Sequence, residues 1–261
     1  MNDTGRAMVL RVFSYHWLLY RRTWRASIVI GLVNPLLFLT GIGIGIGKLI
    51  DSAPQHALGG VPYLSFLAPG LLAASAMQMA FGSSAFAVFF AAEPTGSYTA
   101  AAATPVSPTH ILLGHQLFTA FRVALLSTGF VIVQVLLGAA RSPWVVVTIP
   151  AAALTAAAFG APAAAWAITA KRFPTIQAAF RFLIQPLYLL SGTFFALSTA
   201  PVWLQRVAYV SPLWHGVELC RGLSLGQLRV LPMLVHLGFL CVVTVAGLTV
   251  ARGTYRRRLH P

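Results

Sequence analysis

The sequence from residue 63 to residue 92 reads YLSFLAPGLLAASAMQMAFGSSAFAVFFAA and contains no charged side chain. A helix needs about 20 apolar residues to cross the hydrocarbon layer of a bilayer, which is roughly 30 Å thick. Similar runs recur and predict membrane spans at residues 26–50, 63–92, 111–137, 144–170, 175–197 and 231–251. We therefore predict an all-α integral membrane protein with six transmembrane helices.

The overall composition agrees with a membrane protein. Of the 261 residues, 58% are hydrophobic and 8% are charged, which is too little polar surface to cover a soluble globule. The net charge of +14 comes from Lys and Arg residues that lie mostly between the apolar runs, as membrane topology requires. No basic stripe with interleaved aromatic residues is left over, so we predict a lipid environment and no nucleic-acid partner.

The loop charges predict the orientation of the chain. Six spans place both termini on one side, and eleven Lys and Arg residues lie on that side, in segments 1–25, 171–172 and 252–258, against five on the other. An excess of positive charge marks the cytoplasmic side, so we predict cytoplasmic termini for a multi-pass protein of the bacterial plasma membrane. The chain divides into an N-terminal helix (1–25), a six-span domain (26–251) and a basic cytoplasmic tail (252–261).

The N-terminal segment, residues 1–25, has an amphipathic pattern. Its apolar residues are spaced by three and four and share one helical face: Val9, Val12, Phe13, Trp17 and Tyr20. This pattern predicts a helix that lies in the cytoplasmic interface. The alternative is a solvated basic tail, which would expose Trp17 and Tyr20 without a role.

A glycine-rich run, GIGIGIGK at residues 41–48, invites a phosphate-loop interpretation. That interpretation fails, because Ile42 stands where the motif needs Gly and Leu49 stands where it needs Ser or Thr. Within a span, the pairs Gly41 with Gly45 and Gly43 with Gly47 instead predict close packing against another helix.

Two arginines, Arg122 and Arg181, fall inside predicted spans, eleven and six residues from their cytoplasmic ends. One interpretation is that these side chains reach back to the lipid headgroups. The other is that they contact an anionic substrate head group on the cytoplasmic side.

The acidic residues indicate where the energy for transport would come from. The chain has four, Asp3, Asp51, Glu93 and Glu218, and none lies near the middle of a predicted span. Transport coupled to an ion gradient commonly uses a titratable site at the bilayer midplane, so we expect an energy source outside this chain. No His-x-x-x-His pair is present among the seven histidines, and we predict no metal site.

One cluster is compatible with an enzyme. His215, Glu218 and Arg221 are spaced by three, as an ion pair that stabilises a short helix would be, and as a catalytic set at the membrane surface would also be. We favour the ion pair and predict no catalytic residues.

Two further segments resemble a known family. Residues 93–114 read EPTGSYTAAAATPVSPTHILLG and look like the cytoplasmic loop of type 2 ATP-binding-cassette (ABC) exporter permeases, which carries a coupling helix between spans 2 and 3. Residues 186–195, PLYLLSGTFF, with APVWLQ at 200–205 and SPLWH at 211–215, resemble the end of span 5 and a short re-entrant helical pair before span 6. With NPLL at 34–37 and the glycine run, the motifs most resemble the lipooligosaccharide and nodulation-factor branch, with daunorubicin-type drug exporter permeases next.

The resemblance implies a transport subunit that is not itself an enzyme. ATP and Mg would be bound by a separate ABC ATPase, present as a dimer and docked under residues 94–108. A second copy of the permease would complete the complex, as a homodimer by default or as a heterodimer with a related permease. The substrate expected from this branch is a lipid-linked saccharide or glycolipid, and the alternative is drug or antibiotic efflux.

The resemblance also assigns roles to residues. ATPase coupling falls to Glu93, Gly96, Ser97, Tyr98, Thr99, Thr104, Pro105 and Ser107, and the re-entrant pair contains Pro212, His215, Glu218 and Arg221. The expected substrate path contains Arg25, Arg122, Arg181, Ser191 and Thr193, and the span-1 packing residues are Gly41, Gly43, Gly45 and Gly47. The family often has a Glu soon after a Gly-Thr pair in the coupling helix, whereas this chain has alanines there, so we expect ATPase recognition to rest on shape and Tyr98.

Overall fold

The computed structural model describes residues 3–52, 58 and 60–259, and this part of the chain is 84% helical. The helices are α1 (Asp3–Phe38, continued by a π-helical stretch Leu39–Ile46 and a turn Gly47–Asp51), α2 (Tyr63–Phe81, Gly82–Phe86 and Ala87–Ala92), α3 (Ser97–Ala102), α4 (Pro108–Leu136), α5 (Thr148–Ala167, after a 3-10 turn Pro143–Val147), α6 (Phe173–Ala179, Phe180–Ile184 and Gln185–Leu190), α7 (Val202–Val210), α8 (Pro212–Leu225) and α9 (Val230–Leu259). The side chains of Asn34 and Pro35 and residues 260–261 lie outside the described part.

Four helices are long and apolar enough to cross a membrane: Tyr63–Ala92, Pro108–Leu136, Pro143–Ala167 and Val230–Leu259. They coincide with four of the six predicted spans and confirm an all-helical membrane protein. The spans predicted at 26–50 and 175–197 stay predictions. In the second of these, α6 ends at Leu190, because the chain turns at Gly192, where φ is +77°.

The first helix shows no boundary near residue 25. It runs from Asp3 to Phe38 without a break, and the aromatic side chains of its first half pack across the start of α4. The ring of Phe13 lies 5.6 Å from that of Phe118 and 5.7 Å from that of Phe121. The apolar face predicted for residues 1–25 is therefore covered in part by α4.

The centre of the bundle is α5, a helix composed mostly of alanine, which packs against α2, α4, α8 and α9. Small side chains let helices approach closely in a membrane. One close approach to α9 is at Gly247, where an added Cβ would lie 2.6 Å from the ring of Pro162.

The two ends of the bundle are chemically different. Glu93 pairs with Arg258 of the last turn of α9, so the segment with α3 and the end of the chain share one end, here called the terminal end. At the other end, here called the opposite end, the backbone N–H of Tyr63 donates to Asp51 Oδ1 (2.9 Å) and the Tyr63 hydroxyl donates to the carbonyl of Phe194 (2.9 Å).

Candidate functional site

The segment between α2 and α4 contains all the residues predicted to couple to an ATPase. Gly96 precedes α3 with φ of +59°, in the left-handed region that favours glycine. On either side of it, the Thr95 hydroxyl donates to the carbonyl of Phe90 (2.8 Å) and the Ser97 hydroxyl donates to the carbonyl of Ala91 (3.3 Å). These bonds fix the start of α3 against the end of α2.

Tyr98 attaches α3 to the bundle. Its side chain is only 3% exposed, and its hydroxyl lies 2.9 Å from Nδ1 of His115 on α4. The other ring nitrogen of His115, Nε2, lies 3.0 Å from the carbonyl of Ser83. Because a carbonyl only accepts, Nε2 carries the proton and Nδ1 accepts from Tyr98. Burial raises the pKa of the Tyr98 hydroxyl well above its ordinary value, so this donor keeps its proton.

The same histidine also connects to the first helix. Nε2 of His16 lies 3.3 Å from Nδ1 of His115, and the two rings meet edge to face. The ring of Tyr255 on α9 lies 6.1 Å from that of Tyr98. One contact group, called the anchor cluster, thus joins α3 to α1, α2, α4 and α9. It consists of the buried Tyr98, His115 and Tyr255 and the half-buried His16 and Ser83.

The outer face of the predicted coupling segment carries no charge. Its exposed residues are Pro94, Thr95, Thr99, Ala100, Ala103, Thr104 and Pro105. Glu93, the segment's acidic residue, is directed to Arg258 instead. The face that remains for another protein therefore consists of small and neutral side chains, and Tyr98 does not belong to it.

The end of the segment that leads into α4 is fixed by a helix cap. The Ser107 hydroxyl accepts from the backbone N–H of His110, and Nδ1 of His110 accepts from the backbone N–H of Ser107, both at 3.3 Å. This reciprocal arrangement satisfies two amide donors at the start of α4. Thr104 bonds to the carbonyl of Ala101 (2.6 Å) and closes the end of α3.

The three arginines of the predicted substrate path have different surroundings. Arg122 is half-buried, donates to the Ser83 hydroxyl (3.2 Å) and lies 5.4 Å over the ring of Tyr20. Arg25 and Arg181 are exposed. Contacts within the chain hold Arg122, whereas Arg25 lies 5.6 Å over the ring of its neighbour Trp24.

A second polar cluster lies at the opposite end, around Arg221. Its guanidinium bonds to Glu218 (2.5 Å), donates to the carbonyl of Gly192 (2.9 Å) and lies 3.8 Å over the ring of Phe66. Arg221 is 8% exposed. The ion pair expected from the spacing is present, and it also fastens the chain after α6 to α2 and α8.

Ser191 and Thr193, also predicted for the substrate path, flank Gly192 in this cluster. Both are buried, and neither hydroxyl has a hydrogen-bond partner among the described residues. They lie at the opposite end, whereas Arg122 lies toward the terminal end. The predicted path residues therefore do not form a single site in this structure.

The helices α7 and α8 are consecutive and meet at Ser211, and the re-entrant course predicted for them stays a prediction. Ser211 caps the start of α8 and Pro212 follows it as the first helical residue. Nδ1 of His215 lies 2.9 Å from Nδ1 of His236, six residues inside α9. The start of α8 is therefore about 10 Å below the opposite end, since a helix rises about 1.5 Å per residue.

The glycines of the first helix divide into two faces. Gly43 and Gly47 are buried against α2, where an added Cβ would lie 2.7 Å from Leu64 and 3.5 Å from Tyr63. Gly41 and Gly45 are exposed, and no described atom lies within 4 Å of an added Cβ. One predicted packing pair is thus used within the chain and the other faces outward.

Residues 9–225 match the family model described as ABC-2 type transporter. This chain belongs to the ABC-2 type transporter family. The match confirms the resemblance drawn from the motifs at 93–114 and 186–215. It covers most of the chain, including the anchor cluster up to His115 and the whole Arg221 cluster.

Curated relatives of this ABC-2 transporter chain match over nearly their full length. Nodulation protein J of Rhizobium leguminosarum bv. viciae is 29% identical over 250 residues, which is 96% of this chain and 94% of the relative. Nodulation protein J of Bradyrhizobium diazoefficiens is 29% identical over 265 residues, covering 98% and 99%. Inner membrane transport permease YadH of Escherichia coli is 28% identical over 250 residues, covering 88% and 92%.

Sequence reasoning missed several members of the ABC-2 chain's polar clusters, namely His16, Ser83, His115, Phe66 and His236. His16 carried a usable signal, because it lies three and four residues from Phe13 and Tyr20 on the apolar face of the first helix. The others lie in almost uniformly apolar runs, in which the spacing of apolar residues does not indicate which face of the helix is buried. Their partners come from distant parts of the chain, which a local pattern does not reveal.

Proposed function

We propose that this chain is the permease subunit of an ABC exporter that moves an amphiphilic substrate across the plasma membrane with ATP hydrolysed by a separate subunit. The observation that carries the proposal is α3, a short helix with a neutral exposed face that the anchor cluster ties to four helices, in a chain of the ABC-2 type transporter family. Such an attached helix can pass a displacement at the surface to the bundle.

The ATPase dimer docks on the exposed face of residues 94–108 and carries the ATP and Mg. Thr99 lies exposed on α3, and the structure gives its side chain no hydrogen bond. Since the side chains of the contact face are small and uncharged, recognition of the permease by the ATPase rests on shape. Glu93 is held by Arg258 and acts within the permease, not on the partner.

A bulky charge on this face tests the docking proposal. We expect Thr99→Arg to abolish co-purification of the ABC ATPase that is co-expressed with the permease, because a guanidinium occupies the contact surface. Thr175→Arg is the matched control, since Thr175 is an exposed threonine near the start of α6 at the same end. Equal co-purification with both variants would remove the segment from the docking site.

Tyr98 serves a different role, since it faces the bundle. We expect Tyr98→Phe to leave ATPase binding unchanged and to lower the substrate-stimulated ATPase rate, because α3 loses its hydrogen bond to His115 at a cost of about 1 kcal/mol. Tyr98→Glu removes the same bond and buries a carboxylate, so stimulation should vanish. Loss of ATPase binding in Tyr98→Phe would instead assign Tyr98 to the docking face.

The substrate we propose is a lipid-linked saccharide or glycolipid, and drug efflux is the alternative. The relatives called nodulation protein J support the first, in line with the nodulation-factor branch of the resemblance. The exposed cations Arg25 and Arg181 and the half-buried Arg122 suit an anionic or polyhydroxylated head group.

The ATPase rate of the reconstituted complex distinguishes the two substrate classes. We expect glycolipids with an anionic or saccharide head to stimulate the ATPase and hydrophobic drugs to leave it at its basal rate. Stimulation by drugs alone would favour efflux. Transport by the permease alone with an ion gradient would contradict the exporter assignment altogether.

The outward-facing pair Gly41 and Gly45 supports a second copy of the permease as partner. Small-xxx-small pairs let helices approach closely, and this pair has no neighbour within the described chain. A homodimer is the simplest assembly, because both protomers then present the same pair to each other.

A further inference from the structure

An apolar groove of about 600 Å³ opens on the side of the bundle between α5, α8 and α9. Its floor is formed by Ala151, Leu154, Leu219, Leu223, Met233 and Leu237. These side chains offer no hydrogen-bonding group apart from the weak acceptor of the methionine thioether. The groove therefore suits a hydrocarbon chain.

The groove extends over the depth of one leaflet. Its lining runs from Trp144 to Leu154 beside α5 and from Val230 to Leu237 on α9. At about 1.5 Å per residue this is about 10–15 Å, and half of a roughly 30 Å hydrocarbon layer is about 15 Å. Trp144, 51% exposed, stands at the mouth, and tryptophan is enriched at the membrane interface. The mouth is thus at the level of the headgroups.

Two arginines are adjacent to residues that line this mouth. Arg229 lies between the lining residues Leu228 and Val230, and the backbone N–H of Arg141 donates to the carbonyl of Ser224 (3.0 Å), next to the lining residue Leu223. Both arginines are exposed. The ion pairs present in the described part of the chain are Arg221 with Glu218 and Arg258 with Glu93. Neither arginine at the mouth is therefore neutralised by an acidic side chain.

We propose that this groove binds an anionic phospholipid of the leaflet at the opposite end. One acyl chain lies along α5, α8 and α9, and the phosphate lies between Arg141 and Arg229. Arginine binds phosphate through charge-assisted hydrogen bonds, and basic residues near a membrane surface attract anionic lipids. A second copy fits this face less well, because a two-fold contact would place the same two arginines of each copy together.

Lipid retention by the purified full chain tests the site. We expect native mass spectrometry to detect one bound phosphatidylglycerol per chain after incubation with it, and little phosphatidylcholine under the same conditions. The double variant R141Q/R229Q should bind phosphatidylglycerol about thirtyfold more weakly, since each basic residue contributes about 1 kcal/mol. R206Q is the matched control, because Arg206 is an exposed arginine on α7 at the same end, and its binding should stay within about twofold.

A second pair of variants tests the groove itself. Val147 lines the groove, whereas its exposed neighbour Val146 does not. Val147→Trp should displace the lipid, and Val146→Trp should not. Glycerol 3-phosphate without acyl chains should not compete.

Four results would overturn the proposal. They are equal retention of both lipids, equal loss in R206Q and R141Q/R229Q, unchanged binding in Val147→Trp, and full competition by glycerol 3-phosphate. Crosslinks from the groove to a second copy in lipid-free dimers would assign this face to an interface between protomers.

Discussion

Arg221→Ala should destabilise the chain by about 2–3 kcal/mol, because it removes a buried guanidinium that bonds both a partly exposed carboxylate and a backbone carbonyl. The change leaves Glu218 without its cation and the carbonyl of Gly192 without its donor, and it removes the guanidinium that lies over Phe66. The chain after α6 then loses its attachment to α8. The melting temperature of the purified chain in detergent measures the effect.

Two variants locate the cause of this loss. Arg206→Ala removes an exposed arginine from the same end and should change the melting temperature little, since exposed charges contribute little to stability. Arg221→Lys keeps the charge but not the planar fork that reaches Glu218 and Gly192 at once, so it should recover only part of the stability. A melting temperature of Arg221→Ala equal to that of wild type would contradict the role given to this cluster.

Gly247→Leu should prevent α9 from packing on α5. An added Cβ at Gly247 would lie 2.6 Å from Cδ and 2.9 Å from the backbone nitrogen of Pro162, so a larger side chain requires the helices to separate. Overpacking typically costs about 1–3 kcal/mol, and we expect the upper part of this range because the neighbour is a proline ring and its backbone. We expect a sharp fall in folded yield, measured by fluorescence-detected size-exclusion chromatography.

Gly238→Leu, in the same helix, is the control. Gly238 is exposed, and nothing lies within 4 Å of an added Cβ there. A leucine at this position should be tolerated and should favour the helix slightly, because glycine is a poor helix former. Equal loss of yield in both variants would point to an effect on insertion and not on packing.

The apolar runs predicted what depends on length and hydrophobicity. The helices α2, α4, α5 and α9 lie within a few residues of the spans predicted for them, except that α9 continues to Leu259. The end of α6 was harder to predict, because the apolar run resumes at residues 194–197 and the helix stops earlier, at the turn around Gly192. Apolar composition sets where a chain enters lipid, and the turn chemistry sets where a helix ends.

The direction of individual side chains could not be predicted in the same way. Tyr98 was expected to face a partner, yet its ring is enclosed by residues from α4 and α9 that are distant in sequence. Likewise, the glycine run predicted close packing but could not separate the inward pair Gly43 and Gly47 from the outward pair Gly41 and Gly45. Both outcomes depend on which helices become neighbours, and that information is not local.

The helix α9 is unbroken and can therefore tilt as one rigid rod. Its 30 residues correspond to a rod of about 45 Å, with Arg258 beside Glu93 at one tip and His236 beside His215 toward the other. A tilt of about 5° about one tip would move the other by about 4 Å over this length. A small change in the tilt of α9 beneath α3 would therefore displace its other tip, at the opposite end of the bundle. The displacement would be at least the width of a water molecule.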